Sequence, residues 1–261
     1  VSFELAATRL GADVVNLDLH SSSRVKGETV LDTIYTLQAM MVDVFVMRDS
    51  EPGLPAFVAA HVQPHVSVLN AGEAHVSHPT QGLLDVLTIR QRKGDLQNLC
   101  VAIVGDISHS RVARSTATAL QTLGVGELRF VSPASLAPEA DEFPGAKRCT
   151  SLEDGIRGAD VIMALRIQKE RMDQSQIPDV DAFLKEWGIT ERSILHANKG
   201  AIVLHPGPMN RGVEITSAIA DGPSSAVQQQ VRNGVAVRMA VLATIVRNVQ
   251  VRNVQAGRRE V

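Results

Sequence analysis

Aromatic side chains are scarce in this chain: Trp187, Tyr35 and six phenylalanines make up 3% of 261 residues. Stacking platforms for nucleobases and aromatic cages for ammonium groups have little to be built from. Cysteine is scarcer still. Cys100 and Cys149 form no C-x-x-C pair and are too few for a zinc site. Cys100 lies in the apolar run 99–104, where a thiol behaves as a small hydrophobe, and a reducing cytoplasm is the expected compartment. No charge dominates: 26 Lys and Arg against 28 Asp and Glu leave −2 at neutral pH. Neither a basic nucleic-acid face nor an acidic tail is on offer. No run reaches the roughly 18 apolar residues that suggest a bilayer span, and the opening residues do not read as a secretion signal. The expected partner is a small molecule, with no nucleic acid and no membrane.

What the chain does have is regular alternation. Residues 1–11 show helical spacing of Phe3, Leu5, Ala6 and Leu10, with Gly11 as the stop and no capping residue in front. Short apolar runs at 13–18, 42–47 and 66–69 then alternate with helical patterns at 28–41, 55–61 and 79–93. A polar break at 94–98 follows. The pattern resumes with runs at 99–104, 127–131, 160–164 and 201–204 and helices near 112–123 and 152–157. Strand, helix, strand at this spacing predicts parallel sheets with right-handed crossovers. The expected fold class is α/β, with two open parallel-sheet domains and a ligand cleft between them. The expected divisions are residues 1–94, 95–224 and a C-terminal helical segment 225–261 packing back on the first domain. Within that segment the pentad VRNVQ occurs twice, at 246–250 and 251–255, and reads as an extended helix end.

Ligands of open parallel sheets gather where the strands end. Here the strands run into Arg48, into Asn70 to Gln81 with His78, into Gly105 to Arg111, into Arg166 and Gln168, and into His205 to Arg211. Such an accumulation of cations and Gly/Pro turns predicts an anionic ligand. Taken singly, several have ordinary explanations. Arg48 could pair with a neighbouring carboxylate, His78 before Pro79 could be a helix-entry residue, and Lys26 could be a solvated charge. Arg111 sits where a helix begins, which the helix dipole disfavours for a cation and which therefore hints at a task.

Together the motifs SFELAA (2–7), KGE (26–28), HPTQ (78–81), LRIQKERM (165–172) and HPGPMNRGVEI (205–215) resemble the aspartate carbamoyltransferases of the aspartate/ornithine carbamoyltransferase family. The resemblance runs from Val1 to about Val246. It implies a transferase of pyrimidine biosynthesis that moves the carbamoyl group of carbamoyl phosphate to L-aspartate, with no metal and no cofactor. By the same resemblance Arg48 holds the phosphate, His78 donates to the carbonyl oxygen, Gln81 positions the carbamoyl NH2, and Gly207 and Pro208 contact the carbamoyl end. Arg111 and Arg166, with Gln168, would grip the aspartate carboxylates. Lys26 and Ser22 would reach into the site of an adjacent subunit, implying a homotrimer with shared sites that could sit in a larger assembly. Arg48, His78 and Lys26 are the implied catalytic set.

Departures from the family pattern are visible too. A phosphate-binding loop is expected before Val1. Glu73-Ala74 stands where the family tends to have Asp-Gly, and Asp49 where it tends to have His. An inactive homologue serving as a structural or partner-binding subunit is the alternative these departures leave open.

Overall fold

A computed structural model describes residues 1–17, 29–139, 141–168 and 179–257. In chain order they form α1 (Ser2–Arg9), α2 (Val30–Ala39), β1 (Val44–Asp49), α3 (Leu54–Ala59), β2 (Ser67–Glu73), α4 (Pro79–Lys93), β3 (Cys100–Val104), α5 (Arg111–Thr122), β4 (Glu127–Val131), β5 (Lys147–Cys149), α6 (Leu152–Ile156), β6 (Val161–Ala164), α7 (Val180–Trp187), β7 (Ile202–Leu204), α8 (Ser217–Ala220) and α9 (Val227–Gly257). Packing separates two units: Val1–Ala74 together with the chain from Gly234, and His75–Asn233. The sequence reading divides the chain at 94. By packing, α4 falls with the second unit, because Gly82 brings it against the backbone of α5 at Ser115.

In the first unit β1 and β2 pair in parallel, Val44 opposite Ser67 through Met47 opposite Asn70. A capping box starts α2, with Thr29 Oγ1 accepting from the Asp32 amide while the Asp32 carboxylate accepts from the Thr29 amide. Ile34, Phe45, Met47, Leu54, Val58 and Val66 form one small core. The later turns of α9 close a second, in which Leu242 joins Ala6 of α1 and Leu69 of β2. The strand expected over 13–18 does not form at residues 13–17. Val14, Val15 and Leu17 are exposed there and gain no strand partner; residue 18 lies outside the described residues.

The second unit is built on a five-stranded parallel sheet in the order β5-β4-β3-β6-β7. Every residue of β3 is buried, as a central parallel strand covered on both faces requires. Val101 and Ile103 face a core shared with Val86 and Ile89 of α4 and Ala113 and Leu120 of α5. Cys100, Ala102 and Val104 face the opposite core with Ile156, Phe183 and Trp187. Because β3, β6 and β7 are adjacent and parallel, the loops after Val104, Ala164 and Leu204 leave one edge of the sheet side by side. No helix among the described residues is long and apolar enough to cross a membrane.

Candidate active site

The tightest organisation lies on that edge. Gly105, with φ +121°, lets the backbone after β3 approach β6; a Cβ there would stand 2.6 Å from the Leu165 carbonyl oxygen. Beyond it the fully buried Asp106 joins two loops. Its Oδ1 accepts from the His109 amide at 3.3 Å and meets His109 Nδ1 at 2.8 Å, while its Oδ2 accepts from the Gln168 amide at 3.1 Å. Burying a carboxylate costs free energy unless donors surround it, and here the donors come from both loops. The loop carrying Arg166 and Gln168 is thereby tied to the loop leading into Arg111.

Arg111 is the first residue of α5, whose N-cap Ser110 accepts the Ala113 amide at 3.1 Å. It is partly buried, as are Arg166 and Gln168. Arg166 Nη2 donates to Gln168 Oε1 at 3.4 Å, a long contact that aligns the two side chains.

At the start of α4, His78 is the N-cap and Pro79 the first helical residue. The His78 amide donates to Ser115 Oγ at 2.7 Å. One turn on, Gln81 is buried and donates from Nε2 to Asp85 Oδ1 at 2.9 Å, and Thr116 Oγ1 donates to Asp85 Oδ2 at 2.7 Å.

In the loop after β7 the Gly207 amide donates to His205 Nδ1 at 2.9 Å, so the ring proton is on Nε2, directed at Glu214 Oε1 3.0 Å away. That oxygen also accepts from the Asn210 amide at 2.6 Å. Glu214 thus folds the loop back on itself, and Gly207 and Pro208, joined by a cis peptide bond, stand exposed at its turn.

Arg48 belongs to the first unit, exposed near the end of β1 beside the buried Met47. The two departures around it have structural uses. Asp49 Oδ1 accepts the Glu51 amide at 2.9 Å, and Glu73, 8% exposed, accepts the Gly53 amide at 3.0 Å and a donor from Asn70. Ser22 and Lys26 lie outside the described residues.

Among the sequence-predicted residues, Arg166 and Gln168 come together directly and are linked to the Arg111 loop through Asp106. His78 and Gln81 share the first turn of α4. Asp85, Asp106 and Glu214 are organising groups the sequence reading did not single out. Their one signal was a carboxylate set among buried apolar neighbours, as Asp85 is between Leu84 and Val86.

The model of the carbamoyl-P binding domain of aspartate/ornithine carbamoyltransferase matches residues 1–91, and that of the Asp/Orn binding domain matches residues 97–245. Aspartate transcarbamoylase from Trypanosoma cruzi in complex with N-(phosphonacetyl)-L-aspartic acid is 31% identical with a TM-score of 0.79, the match covering 92% of this chain and 77% of that one. In complex with carbamoyl phosphate the same enzyme gives 31%, 0.80, 92% and 78%. Ornithine carbamoyltransferase from Thermus thermophilus, at 24% identity and TM-score 0.81 over 94% of this chain and 80% of that one, shares the fold. With both halves of the chain matched in order, and with the doubled parallel-sheet architecture in place, this protein belongs to the aspartate/ornithine carbamoyltransferase family of transferases.

Proposed function

We propose that this chain is an aspartate carbamoyltransferase, making N-carbamoyl-L-aspartate and phosphate in pyrimidine biosynthesis. The observation that carries the reading is the Asp106 tie, which links the loop before Arg111 to the loop bearing Arg166 and Gln168. Two guanidinium groups suit a dicarboxylate and oppose the ammonium of ornithine. The 31% identity to an aspartate transcarbamoylase supports the same choice.

In the proposed reaction the aspartate amine attacks the carbonyl carbon of carbamoyl phosphate. The resulting tetrahedral centre expels phosphate by breaking the carbon–oxygen bond, and the departing phosphate takes up the proton that the amine gives up. Arg48 holds the phosphate. His78 donates to the carbonyl oxygen as it gains charge, a stabilisation that grows towards the transition state. Gln81 accepts from the carbamoyl NH2, and the backbone at Gly207 and Pro208 lines the same end. Lys26 and Ser22 are contributed to a neighbouring subunit's site in a homotrimer, and the enzyme works in the cytoplasm.

A colorimetric assay for carbamoyl-aspartate, run beside one for citrulline with ornithine as acceptor, tests the reading. Carbamoyl-aspartate alone is expected. Citrulline as the main product overturns the choice of acceptor, and no product from correctly assembled protein overturns the activity in favour of a structural homologue.

A further inference from the structure

One buried amide joins the loop after β7 to the first turns of α4. Gln230, 2% exposed in the opening turn of α9, accepts the His205 amide on Oε1 at 2.9 Å and donates from Nε2 to Asp85 Oδ1 at 2.8 Å. Asp85 takes Gln81 Nε2 on that same oxygen at 2.9 Å and the Thr116 hydroxyl on the other at 2.7 Å. The orientation of each amide follows from what its partners can do. A backbone N–H only donates and a carboxylate only accepts, so Gln230 has to turn its oxygen to His205 and its nitrogen to Asp85. Gln81 obeys the same rule: its nitrogen is claimed by Asp85, which leaves its oxygen as the end that Asp85 does not engage.

We propose that Asp85 and Gln230 are positioning residues for carbamoyl phosphate. Asp85 fixes Gln81 as an acceptor, matched to an N–H of the carbamoyl group and mismatched to a carbonyl or phosphate oxygen. Gln230 couples that setting to the 205–208 loop, so that the two contacts assigned to the carbamoyl end keep one geometry. Neither residue touches substrate. The inference rests on the roles proposed above for Gln81, Gly207 and Pro208. What it adds is a buried relay from His205 through Gln230 and Asp85 to Gln81, each link a hydrogen bond of 2.8 to 2.9 Å, and a buried network of made hydrogen bonds holds its members in one arrangement.

Calorimetric titration with carbamoyl phosphate, together with steady-state kinetics for both substrates, tests the relay on wild type, Gln230→Met, Asp85→Val and Asp85→Asn. Gln230→Met keeps length but loses both bonds; its Kd and KM for carbamoyl phosphate should rise about tenfold or more, with KM for aspartate changing less than about twofold. Asp85→Asn can still accept both amides on Oδ1 and donate to the Thr116 hydroxyl, so it should retain most of the binding that Asp85→Val loses. It also keeps the test open should Asp85→Val not fold. The relay is overturned if Gln230→Met binds carbamoyl phosphate as wild type does, if both KM values rise together, or if Asp85→Asn is as impaired as Asp85→Val. A wild type that binds carbamoyl phosphate yet forms no carbamoyl-aspartate overturns the proposed function instead, and the binding comparison still decides the relay. A wild type that does not bind it overturns both.

Discussion

Ala74 has a φ of +39°, in the left-handed region where a Cβ crowds the backbone. It is held there by its amide, which donates to the Asp49 carbonyl at 2.9 Å. Ala74→Gly is expected to stabilise the fold by up to ~1 kcal/mol, the relieved strain being partly offset by the freer unfolded chain. An upward shift of the urea midpoint checks it. Cys100 makes a second prediction at this scale. Burial, which disfavours the thiolate, pushes its pKa from 9.0 up to about 11, outweighing the nearby Arg129. A thiol with a raised pKa contributes stability that is intact below the unfolded pKa and is lost as pH climbs through about 11. Unfolding midpoints measured from pH 9 to 11 should therefore fall more steeply for wild type than for Cys100→Ala. The apolar run around Cys100 made its burial legible in the sequence. The use of Glu73 as a brace for Gly53 was not, because it depends on contacts between residues twenty positions apart.

Between elements, Gly82 decides how closely α4 and α5 approach. A Cβ at this position would stand 2.5 Å from the Ser115 carbonyl oxygen and 2.8 Å from its carbon, backbone atoms that cannot turn aside. Gly82→Ala is expected to cost ~1–3 kcal/mol despite the better helix propensity of alanine. It should also raise KM for carbamoyl phosphate, because the helix it displaces is capped by His78 and carries Gln81, the two residues proposed to bind the carbamoyl group. Thermal unfolding and substrate titration read the two effects; a more stable variant with unchanged KM would contradict this account. Elements with strong period were legible: α4 at Pro79–Lys93 and β4 at Glu127–Val131 stand where the spacing puts them. β5 was not, since Lys147-Arg148-Cys149 has two exposed cations and one buried residue, too short for alternation to show. The run at 13–17 failed in the opposite way. Its apolar residues look like a strand, but a strand is made by its neighbours, and these gain no pairing.

For the whole molecule, the sequence carried the alternation of strand and helix and the loops at the strand ends. It could not carry the buried carboxylates that tie those loops, because Asp106 binds Gln168 across 62 positions and Asp85 meets Gln230 across 145. The proposed trimer has a consequence that does not depend on those ties. If each site takes His78 from one chain and Lys26 from its neighbour, His78→Ala and Lys26→Ala proteins are each inactive for different reasons. Dissociated, mixed in equal amounts and reassociated, they form mixed rings in about three of four cases, and every mixed ring holds one junction at which both contributed residues, His78 and Lys26, are intact. Mixing should therefore restore about a quarter of wild-type activity, in an assay where neither parent shows more than a trace. Recovery of activity requires chain exchange, so the same mixture without dissociation is the control. Failure to recover after proven exchange would mean that both residues serve one chain's site and that the sites are not shared.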